Sequence, residues 1–147
     1  MDRTVAAVLA TAIGAGIAMQ APLNSQLGRT VGGLQASVFA LALSFVCLAS
    51  LALVAGGLGG LRHLSEPPLY VVFGGGVLGA IYVGSIVFTV RELGATGLTA
   101  ATISGQLVFA LVMDNFGWLG LTKSPVTAAK LAGVALLAAG TWLVIRD

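Results

Sequence analysis

The sequence predicts an all-α integral membrane protein of five closely packed transmembrane helices, and three observations predict it. Of 147 residues, 58% are apolar and only 8% are charged, where a soluble domain of this size has about a quarter of its residues charged. Mean hydropathy is +1.04, and the shortage of polar residues runs along the whole chain, so this is not a soluble domain on a single anchor. The few charges fall between long uncharged stretches, each near the roughly 20 residues that a spanning helix needs.

Taken in order, residues 4–28 are uncharged and end at Arg29. Residues 30–61 end at Arg62, which opens a loop with His63, Glu66 and Pro67-Pro68. Residues 69–90 end at Arg91-Glu92, and residues 93–113 end at Asp114. The last stretch starts near Pro125 and stops before Arg146. It holds Lys130 in its second turn, from where the ammonium can snorkel to the interface. The helices are therefore expected at about 4–23, 33–56, 69–90, 94–114 and 126–145, in one domain over 1–147. Arg3 before an apolar run could open a cleaved signal peptide. Ala18-Met19-Gln20 is a poor cleavage site, the run is long, and no soluble domain follows that would need export, so the segment is read as a retained span.

Several function classes fall away. The pI near 9.1 rests on a net charge of only +2 with no basic cluster, which argues against nucleic-acid binding. Cys47 is the single cysteine, so no intrachain disulfide or cysteine-rich zinc site can form, and it reads as a small buried hydrophobe rather than a reactive thiol. His63 is also alone, in a short loop, and weak as a metal ligand. No phosphate-binding loop or HExxH motif occurs and the carboxylates sit apart, so no enzyme, metal or cofactor is expected. Gly74-Gly75-Gly76 lies inside a hydrophobic span and reads as packing.

Stripes of small residues mark packing faces. Ala6, Ala10, Gly14 and Ala18 recur at i+4 on helix 1, and Gly75 and Gly79 do so on helix 3. Ala128, Ala132, Ala135 and Ala139 form a row on helix 5 that suits a contact between subunits. A second row on helix 1, Ala12, Gly16, Gln20 and Asn24, turns from small to polar. Pro22 lies between the two amides and cannot donate to the carbonyl of Ala18. Buried amides are costly unless bonded, so Gln20 and Asn24 are candidate substrate contacts. Alternatively, helix 1 ends there and leaves Asn24 and Gln26 among the headgroups. On helix 4, Thr99, Thr102 and Gln106 share a face, beside Ser104. Hydroxyls often bond back to their own helix, so only Gln106 demands an explanation, as a substrate contact or an interhelical hydrogen bond. Tyr82 on helix 3 is a candidate aromatic wall, or plain packing.

Charge says little about orientation. Arg3, Arg62, Lys123 and, at the interface, Lys130 fall on the side of the N-terminus, against Arg29, Arg91 and Arg146 on the other. Lys and Arg normally mark the cytoplasmic side. A chain with almost no bias can insert both ways, and two opposed copies can pair as an antiparallel, inverted dimer of ten helices. The alternative is one orientation set by the weak bias. At about 1.5 Å per residue, Gln20 lies roughly 24 Å and Gln106 roughly 10 Å from the N-terminal side. Across a core of about 30 Å, Gln20 of one copy then meets the level of Gln106 of an inverted copy.

Proton-coupled exporters place a carboxylate within a span, where desolvation raises its pKa. Asp2, Glu66, Glu92, Asp114 and Asp147 all fall at expected ends or loops. Asp114 is nearest to burial and is either a gating or coupling group or an interfacial carboxylate paired with Lys123 or Lys130.

Ser104-Gly105-Gln106-Leu107, the run Asp114-Asn115-Phe116-Gly117-Trp118-Leu119-Gly120-Leu121, Pro125 and Lys130-Leu131-Ala132-Gly133 form one pattern, joined by Gln20, Asn24, Leu27 and Gly28. With it the chain closely resembles, over essentially its whole length, the YdcZ-like five-helix family of the drug/metabolite transporter superfamily. The resemblance implies a half-size subunit of the bacterial inner membrane, found as dual-topology homodimers, oppositely oriented pairs or fused ten-helix chains. It names no cargo. The related small multidrug resistance proteins carry an acidic residue within helix 1 that has no counterpart here. The expected function is a secondary transporter of a small polar or amphiphilic metabolite by alternating access, whose partners are that substrate, the lipid bilayer and a second copy or paralogous half in opposite orientation. Gln20, Asn24, Tyr82 and Gln106 would bind and Asp114 would gate or couple. The rivals are a dual-topology passive channel and a non-transporting membrane assembly subunit.

Overall fold

The computed structural model describes residues 2–146; Asp147, expected at a chain end, lies outside the described residues. Among these the chain is helical without strands, and four helices are long and apolar enough to cross a membrane. That economy follows from the solvent: in lipid every backbone N–H and C=O must be satisfied within its own segment. The helices fall into two compact units, one up to Glu92 and one from Leu93.

In the first unit α1 spans Arg3–Val31, 29 residues. It was expected to stop near residue 23, and the structure corrects this: the helix carries on through Pro22 for nine more residues. Proline removes one intrahelical bond, and the buried face beyond it, Asn24, Ser25 and Gly28, supplies packing that keeps the turns together. Arg29 is thus in the last turn of a helix rather than in a loop. A single residue ends α1. Gly32 has φ 96°, and its N–H closes on the carbonyl of Gly28 at 3.1 Å. Helix α2 starts at once and runs Gly33–Val54, two residues shorter than expected. Gly56 and Gly57 at positive φ turn the chain into a short 3-10 turn, Gly59–His63. There the His63 ring lies between Arg62 and the Glu66 carboxylate.

Helix α3 runs Leu69–Phe116, 48 residues with one non-helical residue, Gly94 (φ 67°, ψ 174°). The expected gap between residues 90 and 94 is therefore absent. Arg91 and Glu92 remain helical, and the interruption is one glycine wide. Up to that point α3 packs on α1 and α2 only near one end of each. Ala21, Asn24, Ser25 and Gly28 meet Ala36, Ser37, Val83, Ile86, Val87 and Val90 as the buried residues of this unit. The approach is close because two glycines allow it. A Cβ on Gly28 would lie 3.2 Å from Gly33 Cα and 3.2 Å from Val87 Cγ1, and one on Gly33 would lie 2.8 Å from the Phe88 ring. Ser37 ties α2 to α3 by donating to the carbonyl of Val83 at 3.2 Å as well as to that of Gly33 at 3.1 Å.

The glycines of the small-residue stripes face open space among the described residues. Gly14 and Gly16 on α1, and Gly74, Gly75, Gly76 and Gly79 on α3, have open space where a Cβ would be. Cys47, expected to be buried, is exposed; the buried residues of α2 are Ala36 and Ser37, near its start.

In the second unit the end of α3 pairs with α4, Ala128–Ile145, which begins two residues later than expected. Thr127 caps it, accepting from the Lys130 N–H at 3.3 Å, so Lys130 sits in the first turn and not the second. Gly97 faces Ile145, and Ser104 and Thr141 share a hydroxyl–hydroxyl bond of 2.6 Å while Thr141 also donates to the carbonyl of Ala100 at 3.1 Å. The connector between them folds back on itself. Gly117, left-handed at φ 67°, ends α3, and a 3-10 turn, Trp118–Gly120, follows.

Candidate functional site

Polar side chains gather at the packed end of the first unit. Asn24 is 9% exposed, and its amide Nδ2 is enclosed without a hydrogen-bond acceptor. The alternative in which helix 1 ends here is overturned, since α1 continues to Val31. An enclosed donor left unmade costs roughly 1–3 kcal/mol, which in so apolar a chain asks for a compensating role. Next to it, Ser25 is buried and serves Arg91 twice: Arg91 Nε donates to Ser25 Oγ at 3.2 Å and Nη2 to the Ser25 carbonyl at 3.4 Å. The guanidinium lies across α1 over Gly28, where a Cβ would come within 3.2 Å of Nη2. Glycine at 28 thus provides both the helix contact and the bed for the arginine.

Gln20 and Tyr82 belong to the same unit and are half-buried. Gln20 precedes Asn24 by one turn, and Tyr82 precedes the buried Ile86 by one turn on α3. Gln106 and Asp114 belong to the second unit. Gln106 is exposed, while the two threonines on its face are spent locally: Thr99 donates to the carbonyl of Ala95, and Thr102 to those of Leu98 and Thr99. The five predicted residues therefore divide three and two between the units.

Asp114 stands in the last turns of α3, not beyond its end, and is half-buried. Its backbone carbonyl accepts from the Ser124 N–H at 2.9 Å, and Asn115 Oδ1 accepts from the Val126 N–H at 3.3 Å. Lys130 does not reach for Asp114. Its ammonium turns back onto the connector and donates to Ser124 Oγ at 2.7 Å, the Pro125 carbonyl at 3.1 Å and the Ser124 carbonyl at 3.2 Å. Among the described residues the one ion pair joins His63 to Glu66, so the expected pairing of Asp114 with Lys123 or Lys130 is not formed. Trp118 stacks on Phe116 at 5.6 Å and meets Phe109 edge-on at 6.4 Å. The Asp-Asn-Phe-Gly-Trp run, Pro125 and Lys130 are thus parts of one folded connector.

Ser25, Ser37 and Arg91 were missed as site residues. Arg91 falls between the expected helices 69–90 and 94–114, which sets it apart from the helix packing. Gly28, one turn after Asn24 and just before the Gly32-Gly33 pair, was the available signal that backbones meet there.

No curated protein and no solved structure matches the chain. The family described as "Putative inner membrane exporter, YdcZ" does match, over residues 5–143, and so takes in both units, the Asn24–Arg91 cluster and the folded connector. With apolar helices throughout and that match over nearly its whole length, the chain is a multi-pass membrane protein and belongs to the YdcZ exporter family.

Proposed function

We propose that the chain is a half-size secondary transporter subunit that moves a small polar or amphiphilic metabolite across the bacterial inner membrane by alternating access. Family membership supports the class. The single observation that supports a carrier's binding site is the Asn24 amide, an enclosed donor without an acceptor at a junction of three otherwise apolar helices. In this reading Gln20, Asn24, Tyr82 and Gln106 contact substrate, and Asp114 gates or couples.

Five spans are part of the proposal. The 48 residues of α3 are more than twice the roughly 20 that one crossing of a hydrocarbon core of about 30 Å takes, and Gly94 kinks them into two stretches. Divided at Gly94, residues 69–93 and 95–116 are each long enough to cross. An odd number of spans puts the two termini on opposite faces. The open small-residue stripes on α1 and α3 then suit a second copy or paralogous half, inverted in the membrane plane, which would bring Gln106 to the level of Gln20.

Flux of a metabolite library into proteoliposomes holding the purified chain tests the class. Saturable, counterflow-competent uptake is expected, and unitary currents far above carrier rates, or no movement of any compound, would overturn it. Labelling engineered cysteines at both termini in intact cells tests the assembly. Each terminus should react from both faces, and one uniform orientation with no inverted partner removes the proposed dimer. For Asp114, Asn substitution should cut flux at least about tenfold and flatten its pH dependence; an unchanged rate and pH profile removes the coupling role.

A further inference from the structure

We infer that Arg91, Ser25 and Asn24 form a binding site for an oxyanion, so that the carried substrate bears a carboxylate or phosphate group. The inference names the substrate class of the transporter proposed above and rests on that reading.

The cluster has donors in excess and no acid to absorb them. Of the five guanidinium N–H donors, Arg91 spends Nε and one hydrogen of Nη2 on Ser25. The rest point away from that residue, and Arg91 as a whole is exposed, so a ligand can reach them. Among the described residues Arg91 makes no ion pair. The adjacent acid, Glu92, is one residue along the helix, and successive helical side chains do not face each other. Arg29, one turn beyond Ser25 in the last turn of α1, is also outside any described ion pair and adds positive charge at the same end. A planar guanidinium held on one edge presents its other edge as a fork that matches a carboxylate or phosphate.

Asn24 supplies the second, independent observation. Its side chain is 9% exposed and Nδ2 lacks an acceptor. It precedes Ser25 directly and stands one turn before Gly28, over which the guanidinium lies. An anion would be captured first at the exposed arginine. It would reach the amide when α1 draws away from α2 and α3, giving the enclosed donor its acceptor in the translocating state. Neither a cationic nor a purely apolar substrate would satisfy both groups.

The test uses the full chain in nanodiscs of phosphatidylcholine, with succinate, inorganic phosphate, succinamide and putrescine as probes and thermal stability as the readout. Succinate or phosphate should raise the melting temperature in a concentration-dependent way, and succinamide and putrescine should not. Arg91→Gln should weaken the anion response at least about tenfold, with Arg91→Lys, which keeps the charge but not the fork, in between. Asn24→Leu should keep or raise the stability of the unliganded chain, because it removes the enclosed donor, while losing the anion response. This outcome separates a binding role from a folding defect. A response identical in wild type and Arg91→Gln, a response to putrescine alone, or none to any probe overturns the inference. Repeating the series with phosphatidylglycerol in the disc separates the two sources of such a group. Arg91-dependent stabilisation by that lipid, with no response to soluble anions, assigns the site to bilayer headgroups and overturns its part in substrate choice. If anions bind through Arg91 yet proteoliposomes move nothing, the carrier reading fails and the site stands. If a neutral compound is carried and Arg91→Gln leaves its flux unchanged, the carrier stands and the site fails.

Discussion

At Gly28 an added Cβ would meet another backbone, Gly33 Cα at 3.2 Å, as well as Val87 and Arg91. At Gly33 it would meet the tip of Phe88, an exposed ring that can swing aside. The two glycines should therefore differ. Gly28→Val forces α1 from α2 and should cost about 1–3 kcal/mol, seen as a lower melting temperature of the detergent-purified chain, while Gly33→Ala should cost less. Gly14→Ala, in open space on the same helix, should not destabilise the isolated chain at all and gains up to about 1 kcal/mol of helix propensity. Equal losses at Gly28 and Gly14 would show that glycine is not needed for the close approach. Residue chemistry was partly legible. Asn24 could be singled out because an amide in an apolar helix stands out in any sequence. Ser25 and Arg91 could not, because their importance depends on α1 continuing past Pro22, where a proline between two amides reads as an end, and on α3 continuing past Arg91-Glu92, where the charges do.

Among the elements, the connector between α3 and α4 is held by polar groups rather than by apolar burial. Lys130 gives its ammonium to three oxygens of Ser124 and Pro125, and Asn115 accepts the Val126 N–H. Lys130→Met keeps the length and removes the donors. It should cost about 1–3 kcal/mol, hydrogen bonds to charged groups being the stronger kind, and should speed protease cleavage within residues 117–127 several-fold. An unchanged cleavage rate would mean that the lysine merely lies over the loop. The turn-rich character of this segment could be read from Gly117 and Gly120, but its bonding could not: Lys130 was set against Asp114 by charge, whereas folding offers it nearer carbonyls and a hydroxyl. Gly94 was hidden for a similar reason. Hydrophobic periodicity does not distinguish a one-residue interruption from a loop, and the charges three residues earlier drew the boundary to themselves. With φ at 67° and ψ at 174°, a backbone region that is essentially restricted to glycine, Gly94→Ala should cost about 1–3 kcal/mol, read as a lower melting temperature.

For the whole molecule, the all-helical membrane class was legible from charge scarcity alone, since every stretch between charges had to be satisfied without water. What covers the outer faces was not, because a small-residue stripe permits a close approach without naming what makes it. Gly79 has nothing within 4 Å of an added Cβ, so Gly79→Leu should leave the isolated subunit as stable as before and weaken self-association severalfold, measured by single-molecule pairing in bilayers; unaltered pairing would place the partner on another face. The join at Gly32 bears on how such an assembly is born. With α1 ending at Val31 and α2 beginning at Gly33, no hydrophilic stretch separates them for the insertion machinery to sort. A link of one residue ties the direction of α2 to that of α1, so in the proposed inverted dimer the two helices would take their orientation as a pair.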